Sequence, residues 1–119
     1  MSDLLLHATT RNAWSAAQRK GIYAAESLAS EVFIHCSTAD QIMRVVNLVF
    51  SGQHGMVLLV IDPVRLGPEL RWEPGVDLAT ELFPHIYGPI NLDSVVKVLD
   101  LEPDAEGKFH LPVGLAAIG

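Results

Sequence analysis

The segment Met56-Val57-Leu58-Leu59-Val60-Ile61 limits the fold more than any other stretch of the chain. Six apolar residues in succession leave no polar face, and Gly55 before them and Asp62-Pro63 after them mark the ends. Such a run reads as a strand covered on both sides, so the chain must supply apolar surface to two faces of one sheet. With 119 residues it has to do so inside one domain. We place that domain over residues 1–119, with a core over about 3–110 and a tail over 111–119.

The flanking sequence supplies candidates for the covering elements. Leu4 to His7 reads as the first strand. Thr10 offers an N-cap oxygen to the Ala-rich segment that follows, and Gly21 stands where a left-handed terminator is needed; together they predict a helix over 11–20. Ser27 to Ser30 predicts one helical turn, and Val32 to Cys36 a second strand. Thr38-Ala39-Asp40-Gln41 matches a capping box, after which Ile42, Val45, Val46, Val49 and Phe50 recur at helical spacing. Leu70 to Glu73, Glu81 to Tyr87 and Val95 to Leu101 read as later strands. Pro84 assigns the second of these to an edge or an irregular stretch, because proline cannot donate to a ladder. Five or six strands with two early helices predict an α+β fold of mixed, mainly antiparallel small sheets. Too few helices remain in the second half for a doubly wound parallel sheet.

Charge narrows the choice of partner. Eight basic residues face 14 acidic ones for a net charge of −6, and apart from Arg19-Lys20 the cations are scattered. That excludes an extended nucleic-acid surface, although one small phosphorylated ligand needs only one or two cations and some backbone N–H groups. The single cysteine, Cys36, forbids an intrachain disulfide and fits a reducing, cytoplasmic setting. The N-terminus has no basic leader, and no apolar run approaches the roughly 20 residues that span a bilayer, so no membrane partner is expected. The tail Val113 to Ile118 is expected to lie on the domain or against a partner.

Chemistry concentrates at a few strand-like segments. Alternation in Phe33-Ile34-His35-Cys36-Ser37 sets His35 and Ser37 on one face and Cys36 on the other, so His35 and Cys36 form no local nucleophilic pair. Cys36 then reads as a buried thiol. His35 stands where a strand gives way to a capped helix, and Ser37 and Thr38 begin a candidate anion cradle there. His85 and Tyr87 share a face and could flank a ligand ring or position a proton donor and acceptor. Glu73 is a candidate general base or ribose-hydroxyl acceptor beside Arg71. His7 ends the first strand, in Leu6-His7-Ala8-Thr9. His54 and His110 read as surface residues. No local metal-ligand spacing, phosphate loop or nucleophile elbow is present, and no metal or certain cofactor is expected.

Taken together, Phe33-Ile34-His35-Cys36-Ser37-Thr38-Ala39-Asp40-Gln41, Arg71-Trp72-Glu73 and Phe83-Pro84-His85-Ile86-Tyr87-Gly88-Pro89-Ile90 resemble the signature of the bacterial "domain of unknown function 952" family. The resemblance covers nearly the whole chain. Val32 departs from it, standing where glycine is expected, with an effect on backbone shape only. The resemblance implies a fold similar to the ADP-ribosyltransferases and tRNA 2′-phosphotransferases, which cradle NAD or an ADP-ribosylated intermediate between two small sheets. It implies a nucleotide-like ligand, with NAD as a substrate. His7, Thr9, Ser37 and Thr38 would then bind ribose and phosphate, Tyr87 would stack on a base or nicotinamide ring, and His35 and His85 would serve as hydrogen-bond donors to a leaving group or as general acid–base groups. Where those transferases usually carry a catalytic glutamate, the local residue is His85, and Glu73 would have to come from another strand. A binding module without turnover and a partner-binding protein are the alternatives.

Overall fold

Met56–Ile61 is buried along its whole length and forms β4, the middle strand of a three-stranded sheet. This computed structural model describes residues 4–75, 80–112 and 114. In chain order the elements are β1 (Leu5–Thr10), α1 (Arg11–Lys20), β2 (Ile22–Tyr23), α2 (Glu26–Glu31), β3 (Ile34–His35), α3 (Ile42–Val49), β4, β5 (Glu69–Pro74), β6 (Leu82–Tyr87), β7 (Ile90–Asn91) and β8 (Val95–Leu101). Three sheets result, β1-β4-β8, β3-β6-β5 and β2-β7, and every pairing between named strands is antiparallel.

Alternation along β4 divides the apolar residues between two cores. Val57, Leu59 and Ile61 pack with Ile34, Ile86 and Ile90 on the side of the other two sheets. Met56, Leu58 and Val60 pack with Ile42 and Val46 of α3, Leu101 of β8 and Phe109. The run without a polar face is thus explained by a sheet with both sides covered. Glu81, just ahead of β6, ties the second sheet to α3 by accepting from both terminal guanidinium nitrogens of Arg44 at 2.9 and 2.8 Å and from Gln41 Nε2 at 3.0 Å.

The α+β expectation holds, with corrections. Among the described residues there are three helices, because α2 extends six residues instead of one turn. There are eight strands, because β2 and β7 are two-residue pairs too short to leave a periodic signature. α1 has the expected caps: Thr10 Oγ1 accepts from Ala13 N at 3.0 Å, and Gly21 adopts a left-handed φ of 83°. The capping box forms by half. Gln41 Oε1 accepts from Thr38 N at 3.0 Å, but the Gln41 and Ile42 N–H groups go to the Thr38 carbonyl, and α3 begins only at Ile42. The C-terminal tail beyond Pro112 lies, except for Gly114, outside the described residues.

Pro84 corrects a further expectation, since β6 is a central strand and not an edge. In an antiparallel ladder a residue's N and O face the same neighbour. The Pro84 carbonyl faces β3, where it accepts from Cys36 N at 3.0 Å. Its missing N–H therefore falls where β3 stops, and the ladder to β5 loses nothing. The same missing donor limits β3 to two residues.

Val32, at the C-terminal end of α2, has a φ of 76° and is 65% exposed. A β-branched residue there holds a conformation that costs about 1–2 kcal/mol and that glycine adopts freely. Val32→Gly is expected to raise stability by about 1 kcal/mol after the added chain entropy of glycine is subtracted. The midpoint of urea unfolding, followed by circular dichroism, checks this; an unchanged or lowered midpoint would contradict it.

Candidate functional site

The site begins where two sheets part. Leu6 of β1 and Ser37 exchange both backbone hydrogen bonds at 2.8 Å, and past this single bridge β3 turns away to pair with β6. Because Leu6 directs its N–H and C=O away from β4, the two-residue period of a strand directs those of Ala8 the same way. Neither Ala8 group has a partner among the described residues. The parting opens a cleft of about 780 Å3 bounded by β1, β3 and the three helices. That volume lies within the range of small-molecule sites, about 300–1,000 Å3.

On the β1 wall, His7 donates Nδ1–H to the His35 carbonyl, and its Nε2 lies 2.8 Å from the Tyr23 hydroxyl. Burial lowers the His7 pKa to about 4, so the ring is neutral at physiological pH. A neutral ring that donates at Nδ1 can only accept at Nε2, so the Tyr23 proton is directed to His7. The Thr9 hydroxyl, 2.9 Å from the Tyr23 oxygen, completes the chain by donating to it. Burial also raises the Tyr23 pKa. Tyr23→Phe leaves His7 Nε2 unpaired in a buried position and is expected to cost about 1–3 kcal/mol, read from the thermal unfolding midpoint. A change within error would contradict this hydrogen-bond chain.

On the opposite wall, β3 and β6 pair His35 with His85, and the ring centroids lie 5.5 Å apart. Phe33 stacks on the His85 ring at 4.0 Å and meets His35 edge-on at 4.8 Å. His85, 2% exposed, donates Nδ1–H to Glu73 Oε1 at 2.8 Å, which leaves Nε2 without a protein partner among the described residues. The Tyr87 hydroxyl donates to the same Glu73 oxygen at 2.6 Å, and these two bonds hold the Glu73 carboxyl below its ordinary pKa. Arg71 lies over the Tyr87 ring at 4.4 Å and is ion-paired with Glu69 at 2.9 Å. His35 Nε2 reaches Glu31 Oε1 at 3.1 Å. Each of the two histidines is thus held by a glutamate on one ring nitrogen.

Of the residues expected from sequence, His7, Thr9, His35, Ser37 and His85 line this one cleft. Thr38, Glu73 and Tyr87 do not; Glu73 and Tyr87 reach it through His85. The anion cradle at Ser37 and Thr38 is corrected, because Ser37 N donates to Leu6 O and Thr38 N to Gln41 Oε1. Cys36 is the buried thiol expected, with burial pushing its pKa up and out of nucleophilic range. His54 and His110 are exposed and bonded to Glu102 and Asp104. Among the described residues no three or more His, Cys, Asp or Glu side chains are grouped to hold a metal ion. Sequence reasoning missed Tyr23, Glu31 and Phe33 as site residues. Phe33 sits inside the quoted signature and shares a strand face with His35, so alternation was a signal for it; Tyr23 and Glu31 lie in segments with none.

A family model described as "Protein of unknown function (DUF952)" matches residues 8–98. The chain belongs to this family. The DUF952 match runs from Ala8 in β1 to Val98 in β8 and includes His35, Glu73, His85 and Tyr87. The crystal structure of protein CC0527 from Caulobacter crescentus is similar, with 32% identity, a TM-score of 0.84, and coverage of 95% of this chain and 98% of that one. The solution NMR structure of CC0527 gives a TM-score of 0.76 over 88% of this chain and 90% of that one. No curated protein matches the sequence.

Proposed function

We propose that the cleft binds a nucleotide of the NAD type and cleaves its N-glycosidic bond, as the likeness to ADP-ribosyltransferases and tRNA 2′-phosphotransferases implies. One observation carries this reading: five residues singled out for that chemistry, His7, Thr9, His35, Ser37 and His85, line a single cleft of about 780 Å3. The parting of two small antiparallel sheets at the Leu6–Ser37 bridge supports the fold likeness.

The chemistry follows from the ring nitrogens. The bond from ribose C1′ to the pyridinium nitrogen breaks with its electron pair going to that nitrogen, so nicotinamide leaves neutral. Water or an acceptor hydroxyl adds at C1′, and its proton passes to Nε2 of His85. The Glu73 carboxylate on Nδ1 stabilises the resulting imidazolium and fixes the tautomer that can accept. Glu73 is then a positioning residue, and Tyr87 holds it in turn. His35, kept in place by Glu31, is set to bond a ribose hydroxyl, with Ser37 and Thr9 beside it. His7, neutral and committed on both nitrogens, shapes the wall and takes no part in proton transfer.

A second reading, binding without turnover, draws on the position of Glu73, whose carboxylate is outside the cleft lining. Proton NMR of the protein with millimolar NAD separates the two. Free nicotinamide signals that grow with wild type and are lost in His35→Ala support cleavage. Line broadening of NAD without release supports the binding module. Neither effect at millimolar NAD would overturn both readings.

A further inference from the structure

The cleft is poor in everything that holds a phosphate. Among its described lining residues the charged side chains are Lys20, Glu26 and Glu31, one cation against two anions. The chain has eight lysines and arginines, and four of the arginines are committed elsewhere. Arg11 is paired with Asp100, Arg44 with Glu81, Arg65 with Asp62 and Arg71 with Glu69.

At the starts of α1 and α3 the backbone donors that commonly replace cations at phosphate sites are also occupied, whereas the six-residue α2 has no side-chain cap at its start. In the first turn of α1, Arg11 N donates to Gly55 O and Ala13 N to Thr10 Oγ1. Ahead of α3, Ser37 N and Thr38 N are taken as described above. Apart from those three charged side chains, the cleft offers neutral groups: the His7–Tyr23–Thr9 chain, the open N–H and C=O of Ala8, the Ser37 hydroxyl, and an apolar wall from Ala13, Ala17, Val45 and Val49. Bringing a dianionic phosphate into such a site removes it from water without providing a counter-charge.

We infer that the cleft selects a nucleoside without phosphate charge, and that a diphosphate attached to it stays outside. This rests on the nucleotide reading above and adds which part of the ligand is held. A cationic nucleoside is favoured further, since Glu26 and Glu31 give the lining a net negative charge.

The test compares two ligands that differ only in a phosphate, nicotinamide riboside and nicotinamide mononucleotide, by titration calorimetry on the whole chain. At low salt the riboside is expected to bind about tenfold more tightly, with the gap narrowing as salt screens the glutamates. Glu26→Lys reverses one lining charge at an exposed position and is expected to shrink the gap several-fold, mainly by tightening the mononucleotide. Equal affinities, or a tighter mononucleotide whose binding weakens with salt, would overturn the inference and leave the nucleotide reading standing. If neither compound binds at millimolar concentration, both fall.

Discussion

His85→Asn is expected to lower nicotinamide release from NAD by about 10²- to 10⁴-fold, the usual loss when a positioned acid–base group is removed. Asparagine is the informative replacement here. Its side-chain N–H falls near the position of Nδ1 and can keep the bond to Glu73, while nothing replaces Nε2. Alanine at a residue only 2% exposed, and stacked on Phe33 at 4.0 Å, would confound folding with chemistry. A companion variant, Glu73→Gln, keeps an acceptor for His85 and Tyr87 but removes the charge that stabilises the imidazolium. It should lower the rate while leaving KM for NAD within about twofold. Single-turnover release followed by NMR checks both. Wild-type rates in His85→Asn would remove His85 from the reaction.

Stability should fall steeply in mild acid because of one buried ring. The His7 pKa drops from 6.5 to about 4 on folding, chiefly through desolvation. Between these values the unfolded chain binds a proton that the native state refuses, so stability declines as pH falls from 6.5 towards 4. At about 1.4 kcal/mol per pH unit the loss comes to about 3 kcal/mol, and above pH 6.5 the group contributes nothing further. Carboxylates act in a lower window: Glu73, Glu81 and Asp104 have folded pKa values below their ordinary 4.5 or 3.8, with Asp104 near 2. Their contribution is lost below about pH 4.5. Urea midpoints measured from pH 7.5 to 4 should therefore decline in the wild type and decline less in His7→Asn, which keeps a donor for the His35 carbonyl but does not titrate. Parallel curves for the two proteins would contradict the burial of His7.

The parts of the fold that were legible in sequence are those whose signal is local. β4 declared itself because a six-residue apolar run between a glycine and Asp-Pro has few other uses. α1 did so because Thr10 and Gly21 bracket it. Pro84 misled, because the rule that proline avoids central strands concerns the missing donor, and here that donor would face the end of β3. β2 and β7 escaped because two residues carry no period.

The site divides in the same way. His7, His35 and His85 were readable as polar residues closing apolar strands. Their partners were not. Tyr23 meets His7 across 16 residues of chain and Glu73 meets His85 across 12, so only the assembled sheets bring them together. Tyr87 was expected on the face of His85, yet Tyr87 bonds Glu73, Glu73 bonds His85, and neither lines the cleft. The phosphate cradle at Ser37 and Thr38 failed because the capping glutamine consumed one of the donors the cradle required.

Histidine side-chain NMR on ring-labelled protein, titrated with NAD, tests the central claim most directly, because the five histidines divide between the cleft and the surface. The account predicts that His7, His35 and His85 shift or broaden together while His54 and His110, exposed and bonded to Glu102 and Asp104, stay where they are. Shifts confined to His54 and His110, or no shifts at millimolar NAD, would contradict a nucleotide site in the cleft.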